Sequence, residues 1–329
     1  MNRRRFGSIV GTVLMSRALP SIARPNSIPR IGWIGFGDPD SSRSLLAAFW
    51  HGMKQLDYEE GRNVIMEYRW GLGSHERNPA LARELVRRRV DLLLTGTTAA
   101  AQACRAVTRT IPIICFNFSD PVADKLAASL ARPGGNVTGM TVLAPELVPK
   151  QLSLLKAAVP RIKHIAGIWQ PGALTDAAAN EMLLGAQGAA RASGMAFHSY
   201  GVRTADNLDG ALDDIRKSGA DALLVMPCPV SLFARKRIGR FIAARRLPAA
   251  GWIREFVQVG ALLSYGVDFS HQYRVGAAYV AKVLRGADPA TLPIEQPTKF
   301  ELIVNLRSAR ALGVAIPPLL QIQADEVID

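Results

Sequence analysis

Short apolar runs alternate with amphipathic stretches along most of the chain. Ile31–Ile34 is apolar and is followed by the break Gly35-Phe36-Gly37-Asp38-Pro39. Phe49, Met53 and Leu56 recur at helical spacing ahead of a second run, Val64–Tyr68. Leu81, Leu85 and Val86 mark another helix ahead of Asp91–Thr95, and the alanine-rich stretch Ala99–Val107 precedes Ile113–Phe116. Near-continuous apolar runs of strand length suit strands buried on both faces. Their alternation with helices predicts parallel sheets. The same order returns in Ile165–Trp169, Met195–Tyr200, Asp221–Met226 and Pro248–Ala250, each about 130 residues after its counterpart. Both third strands open with an aspartate. The chain then continues with a strand at Ala261–Tyr265, a helix at Gln272–Leu284 and a strand at Phe300–Asn305. The expected class is α/β, with two doubly wound parallel-sheet lobes in tandem. Strand carboxyl ends that face each other across a cleft suit capture of a small molecule by closure.

Composition narrows this picture without changing it. The chain has 329 residues, 49% hydrophobic and 20% charged, enough for two ordinary globular domains. No apolar run reaches the roughly 18 residues that a membrane span needs. The formal net charge is +13 and the pI about 10.1. Arginines cluster at Arg83 with Arg87–Arg89, and at Arg235, Arg237 and Arg240 with Lys236. Without interleaved aromatic residues to stack on bases, these read as solvated helix faces, and no nucleic-acid partner is expected. Cys104, Cys115 and Cys228 form no CxxC motif. The first two read as inert core thiols. Cys228, at a strand end, reads either as core or as pocket wall.

The first residues carry a targeting pattern. Asn2-Arg3-Arg4-Arg5-Phe6 is cationic, Gly7–Met15 is mildly apolar, and Ser21-Ile22-Ala23 offers small residues before a cut after Ala23. The Arg-Arg-x-Phe order resembles a twin-arginine signal. No cysteine near the cut indicates a lipid anchor. Residues 1–27 are therefore expected to be a signal peptide and linker, and the mature protein a soluble, monomeric periplasmic one.

Enzyme signatures are missing from the sequence. Gly35-Phe36-Gly37 begins like a dinucleotide fingerprint, but Asp40 occupies the third glycine position, and an acidic loop repels a pyrophosphate. His51, His75, His164, His198 and His271 lack metal-ligand spacing. No P-loop and no G-x-S-x-G elbow occurs. The expectation is no catalysis, no metal and no cofactor.

Three stretches carry a family resemblance. They are DPVADKLAASLARPGGNVTGM (Asp120–Met140), Gly61–Val64 with Glu67–Trp70, and LPIEQPTKFELIVNLRSARALGVAIP (Leu292–Pro317). Together they resemble the bacterial ABC-transporter substrate-binding proteins of the type I periplasmic-binding-protein fold. The resemblance spans nearly all of the chain after residue 27. It implies three crossovers between lobes, placed near Met140, Gly260 and Pro289. The lobes would be 28–140 plus 261–289, and 141–260 plus 290–329. It also implies a membrane permease as partner, and some relatives of the family bind aromatic amino acids. An exported subunit signalling to a membrane receptor is the alternative, and an exported α/β hydrolase a third reading.

Candidate ligand contacts sit at strand ends. Phe36 and Asp38 follow the first strand. Thr97 and Thr98 follow the third, where a helix start favours an anion such as a carboxylate; an ordinary N-cap is the other reading. Phe116, Asn117 and Asp120 belong to the fourth strand and its exit. Asp120 either caps the following turn or holds a ligand ammonium. The second lobe offers Trp169, Cys228 and Trp252. Tyr265 and Asp268 lie close to a crossover. The combination of hydroxyls, a helix start, acids and aromatics suits an amino acid or a related aromatic or zwitterionic solute.

Overall fold

The structure is a computed structural model that describes residues 27–142 and 144–329. The expected export signal, residues 1–23, lies outside the described residues. The first sheet is built from β1 (Arg30–Gly35), β2 (Ile65–Trp70), β3 (Leu92–Thr95), β4 (Ile113–Phe118) and β5 (Val137–Thr141). Its order is β2-β1-β3-β4-β5, with every neighbouring pair parallel. Helices α1 (Pro39–Lys54), α2 (Asn78–Arg87) and α3 (Thr98–Val107) connect the strands and cover both faces. Sandwiched this way, Leu92, Leu93 and Leu94 are completely shielded from solvent, which is why β3 reads as an unbroken apolar run.

The second lobe opens with α4 (Ala144–Ala158), β6 (His164–Trp169), α5 (Asp176–Ala192), β7 (Ala196–Gly201), α6 (Leu208–Lys217) and β8 (Ala222–Val225). It continues with α7 (Pro229–Phe233), α8 (Arg235–Arg245), β9 (Ala249–Gly251), α9 (Arg254–Gln258) and β10 (Leu263–Val267). After α10 (Phe269–Leu284), it closes with β11 (Phe300–Asn305), α11 (Leu306–Leu312), α12 (Pro318–Gln323) and β12 (Glu326–Ile328). The sheet order is β12-β11-β10-β9-β8-β6-β7, with β10 and β11 the antiparallel pair. The aspartate that opens each third strand does the same work in both lobes. Asp91 accepts a hydrogen bond from the Arg30 amide at 2.8 Å, and Asp221 accepts from the Lys163 and His164 amides, both at 2.9 Å. Each carboxylate ties the start of its lobe's first strand to the third.

Two crossovers lie later than expected. β10 pairs with β9 and β11 in the second sheet, so residues 261–267 belong to the second lobe and the chain crosses at Asp268, not near Gly260. α10 then returns to the first lobe. The stretch after it stays there: Ile294 packs in the first lobe's core, its amide donates to the Leu130 carbonyl, and Glu295 bridges Met140. The return crossing is therefore at Gln296–Lys299, past the expected Pro289. The remaining crossing, from the first lobe to the second, follows Thr141.

α10 seats against α1 and β4 through two glycines. A Cβ at Gly52 would stand 2.9 Å from Ala277 Cβ, and one at Gly276 would stand 2.6 Å from the Phe116 ring. Gly276→Val is expected to destabilise the fold by about 1–3 kcal/mol through overpacking. Gly188→Ala on α5, where an added Cβ meets nothing within 4 Å, is expected to be neutral or stabilising by up to about 1 kcal/mol. Urea melts of the two variants, compared at constant m, measure the contrast.

Candidate ligand-binding cleft

The strand ends of both lobes converge on one cavity of about 120 Å³. From the first lobe, Phe36 leaves β1 and lies over the His75 ring, centroids 4.5 Å apart. Burial pushes His75 down to about 4, so the imidazole behind this wall is neutral at pH 7. Thr97 and Thr98 follow β3 and line the cavity. Thr97 is the N-cap of α3, its hydroxyl oxygen accepting from the Ala100 amide at 3.3 Å. Thr98 Oγ1 accepts from the Ser119 amide at 3.0 Å, which joins the exits of β3 and β4. Asn117 also lines the cavity. Its Nδ2 donates to the Gly96 carbonyl at 3.1 Å, and its Oδ1 accepts from Gln272 Nε2 at 3.2 Å. The amide is thus held from both sides.

The opposite wall comes from the second lobe. Cys228 is buried in it, and burial pushes its thiol up to about 11, leaving it neutral. Trp252 donates its indole N–H to Ser231 Oγ at 3.1 Å and meets Phe269 edge to face at 5.3 Å. The lobes touch around this space. Ser44 Oγ donates to Glu255 across the cleft at 2.7 Å, Lys236 pairs with Asp40 at 2.8 Å, and the Phe233 ring seats on Gly37 and Gly73. The cleft is closed.

Six of the twelve residues nominated from sequence line the cavity: Phe36, Thr97, Thr98, Asn117, Cys228 and Trp252. The other six are placed elsewhere. Asp38 caps α1, accepting from the Ser41 amide at 2.8 Å while Ser41 Oγ accepts from its own amide. Phe116 is core, fully buried between Trp33, Phe49 and Tyr273. Asp120 caps a turn, its Oδ1 accepting from the Val122 and Ala123 amides. Trp169 packs against the second lobe's core. Tyr265 stacks on Phe300, centroids 6.4 Å apart, and its carbonyl accepts from Gln151. Asp268 caps α10 through the His271 amide at 2.8 Å and pairs with Lys299 at 3.0 Å.

Sequence reasoning missed several wall residues. Trp33 is mid-strand and nearly inaccessible, so it reads as core, yet it lines the cavity. Leu232 and Phe233 lie on α7, a helix of five residues with no periodic signature. Tyr273 comes from α10, which reaches the site only by returning to the first lobe. The one available signal was the Gly-Phe-Gly and Pro-Cys-Pro flanks of the strand exits, where backbone turns expose neighbouring side chains.

Against known proteins, the profile of the family described as ABC transporter substrate binding protein matches residues 34–328. The chain belongs to this family. A crystal structure from Vibrio cholerae, described as a conserved domain protein, is 26% identical. It covers 92% of this chain and all of its own, with a TM-score of 0.82. The structure of an ABC domain in complex with L-Trp from Streptococcus pneumoniae is 23% identical over the same shares, with a TM-score of 0.81. A tyrosine-binding protein of Clostridioides difficile is 24% identical over 273 residues, 81% of this chain and 75% of that protein. The family is one of solute-binding proteins, and its neighbours have the same two-lobed type I fold.

Asp268 makes the hinge sensitive to acid. Burial pushes its carboxyl up, but the His271 amide and Lys299 outweigh that and hold it below the usual range. Its contribution is therefore present above the unfolded value and lost as pH falls through the folded one. Asp268→Asn keeps the cap and removes the charge. The expected loss at pH 7 is under about 1 kcal/mol, because Lys299 is exposed. Urea melts of wild type and variant are expected to converge towards pH 3.

Proposed function

We propose that this protein is the periplasmic receptor of an ABC importer and closes on a small aromatic solute of the aromatic amino-acid type. The observation that carries the reading is the cavity of about 120 Å³ between the lobes, walled by Trp33, Phe36, Phe233, Trp252, Phe269 and Tyr273. Apolar cavities of this order accept a single aromatic ring. The L-Trp complex and the tyrosine-binding protein support the same ligand type. Thr97, Thr98 and Asn117 would meet the polar end of the solute, and Cys228 and Trp252 would meet it from the other lobe. Asp120, read from sequence either as a cap or as an ammonium anchor, and Asp268, nominated as a ligand contact, make no part of this wall, and both already cap backbone amides.

Native mass spectrometry of protein purified without denaturant tests the reading. A carried aromatic solute of low mass is expected. Adding that solute to the stripped protein should raise the melting temperature and reduce the radius of gyration in small-angle scattering. A carried sugar or polyol would overturn the ligand type. Phe233→Ala removes an apolar closure contact. It should weaken binding by roughly tenfold to a hundredfold, the equivalent of about 1.5–3 kcal/mol of aromatic burial, as read by calorimetry. Export is checked by N-terminal sequencing of the periplasmic protein, which is expected to begin at Arg24.

A further inference from the structure

Glu255 lies in the first turn of α9, one layer behind the cavity wall. Trp252 and Ile253, just ahead of it in the chain, line the cavity. Ser44, which donates to its Oε1 at 2.7 Å, stands on α1 between Ser42 and Leu45, and both of these line the cavity too. Glu255 is 5% exposed, and its Oε2 is buried with no hydrogen-bond partner. Nor does a cation of the protein serve it among the described residues. The neighbouring Arg254 is committed to Glu301 and Glu326, and Lys299 to Asp268. The other acids named around the cleft are engaged. Asp38 and Asp268 cap helices, Asp120 caps a turn, and Asp40 pairs with Lys236. The charge of Glu255 is felt at the wall itself: burial above all pushes the Tyr273 hydroxyl up, and Glu255 adds to the push. A carboxylate withdrawn from water with one oxygen unpaired is costly unless a donor or a cation meets it.

Resting on the aromatic amino-acid reading, we propose that Glu255 is the residue that selects an amine-bearing solute, its unpaired Oε2 drawing in the ligand's ammonium group where Ser42, Leu45 and Ile253 form the wall. Little water intervenes in a closed cleft, so the charge acts across this thin layer. The same residue ties recognition to closure. Glu255 belongs to the second lobe and Ser44 to the first, so their hydrogen bond orients the carboxylate only when the lobes meet. An ammonium that loses its water on closure then gains a counter-charge in the same step. An aromatic solute without one leaves Glu255 unpaired in the closed form, and that penalty makes the site discriminate.

Calorimetric titration of the ligand-stripped mature protein, wild type and Glu255→Gln, with matched pairs tests this. The pairs are L-phenylalanine against 3-phenylpropanoate, L-tyrosine against 3-(4-hydroxyphenyl)propanoate, and L-tryptophan against indole-3-propanoate. In wild type at least one amino acid is expected to bind about tenfold or more tighter than its deaminated partner. Glu255→Gln is expected to weaken that amino acid by about tenfold or more and to change the partner by less than about threefold. Loss of a merely structural residue would weaken both members alike. A smaller wild-type preference, an equal loss of both ligands in the variant, or a preference that survives the substitution overturns the inference while the aromatic reading stands. If the variant does not fold by circular dichroism, the wild-type preference alone decides. Failure of every probe to bind overturns the aromatic reading and this inference together.

Discussion

The seating of α10 on the first lobe is the constraint on which the cleft depends. The helix follows a strand of the second sheet and yet packs on α1, because Gly52 and Gly276 let its backbone approach α1 and Phe116 closely. Gln272 then donates to the carbonyls of Phe116 and Thr141 and to Asn117 Oδ1. One side chain thereby joins the carboxyl ends of β4 and β5 to the incoming helix. The next residue, Tyr273, reaches the cavity wall, and Phe269, at the helix start, meets Trp252 of the other lobe. A bulkier interface would move all three at once.

Three crossings of the chain between lobes limit the relative motion to a hinge. They leave the closing faces to be held by few contacts. One is an exposed ion pair, Lys236–Asp40, of the kind worth little in water. Another is a half-buried hydrogen bond, Ser44 to Glu255. The third is apolar, Phe233 on two glycines. None of these is large beside the aromatic surface enclosed in the cavity. A ligand that fills that space can therefore decide the balance between open and closed, which is the energetic requirement for a receptor that reports occupancy by shape.

The strand ends show why the site was half legible. At Thr97, Thr98 and Asn117 the chain leaves a parallel strand, and the topology of such sheets puts those positions at the crevice whatever the detailed packing. Asp120 and Asp268 lie off the cavity for a local reason. An aspartate beside a proline or ahead of a helix finds backbone N–H groups within two or three residues, and those bonds form without waiting for a ligand. Phe116, Trp169 and Tyr265 lie off it for another. An aromatic at a strand end turns to one face or the other, and the neighbouring layer decides which.

The sequence by itself determined the α/β class, the doubled order of elements, the paired aspartates that open β3 and β8, and the family. The class and the order of elements follow from spacing written in consecutive residues, the aspartates are legible as residues at matching strand starts, and the family rests on the resemblance of three stretches. Only the tertiary structure decided that β10 stays in the second sheet while α10 crosses back. Only it decided that Trp33 and Tyr273 face the cavity. Those outcomes depend on which surfaces meet between segments more than a hundred residues apart, and no local pattern encodes the meeting.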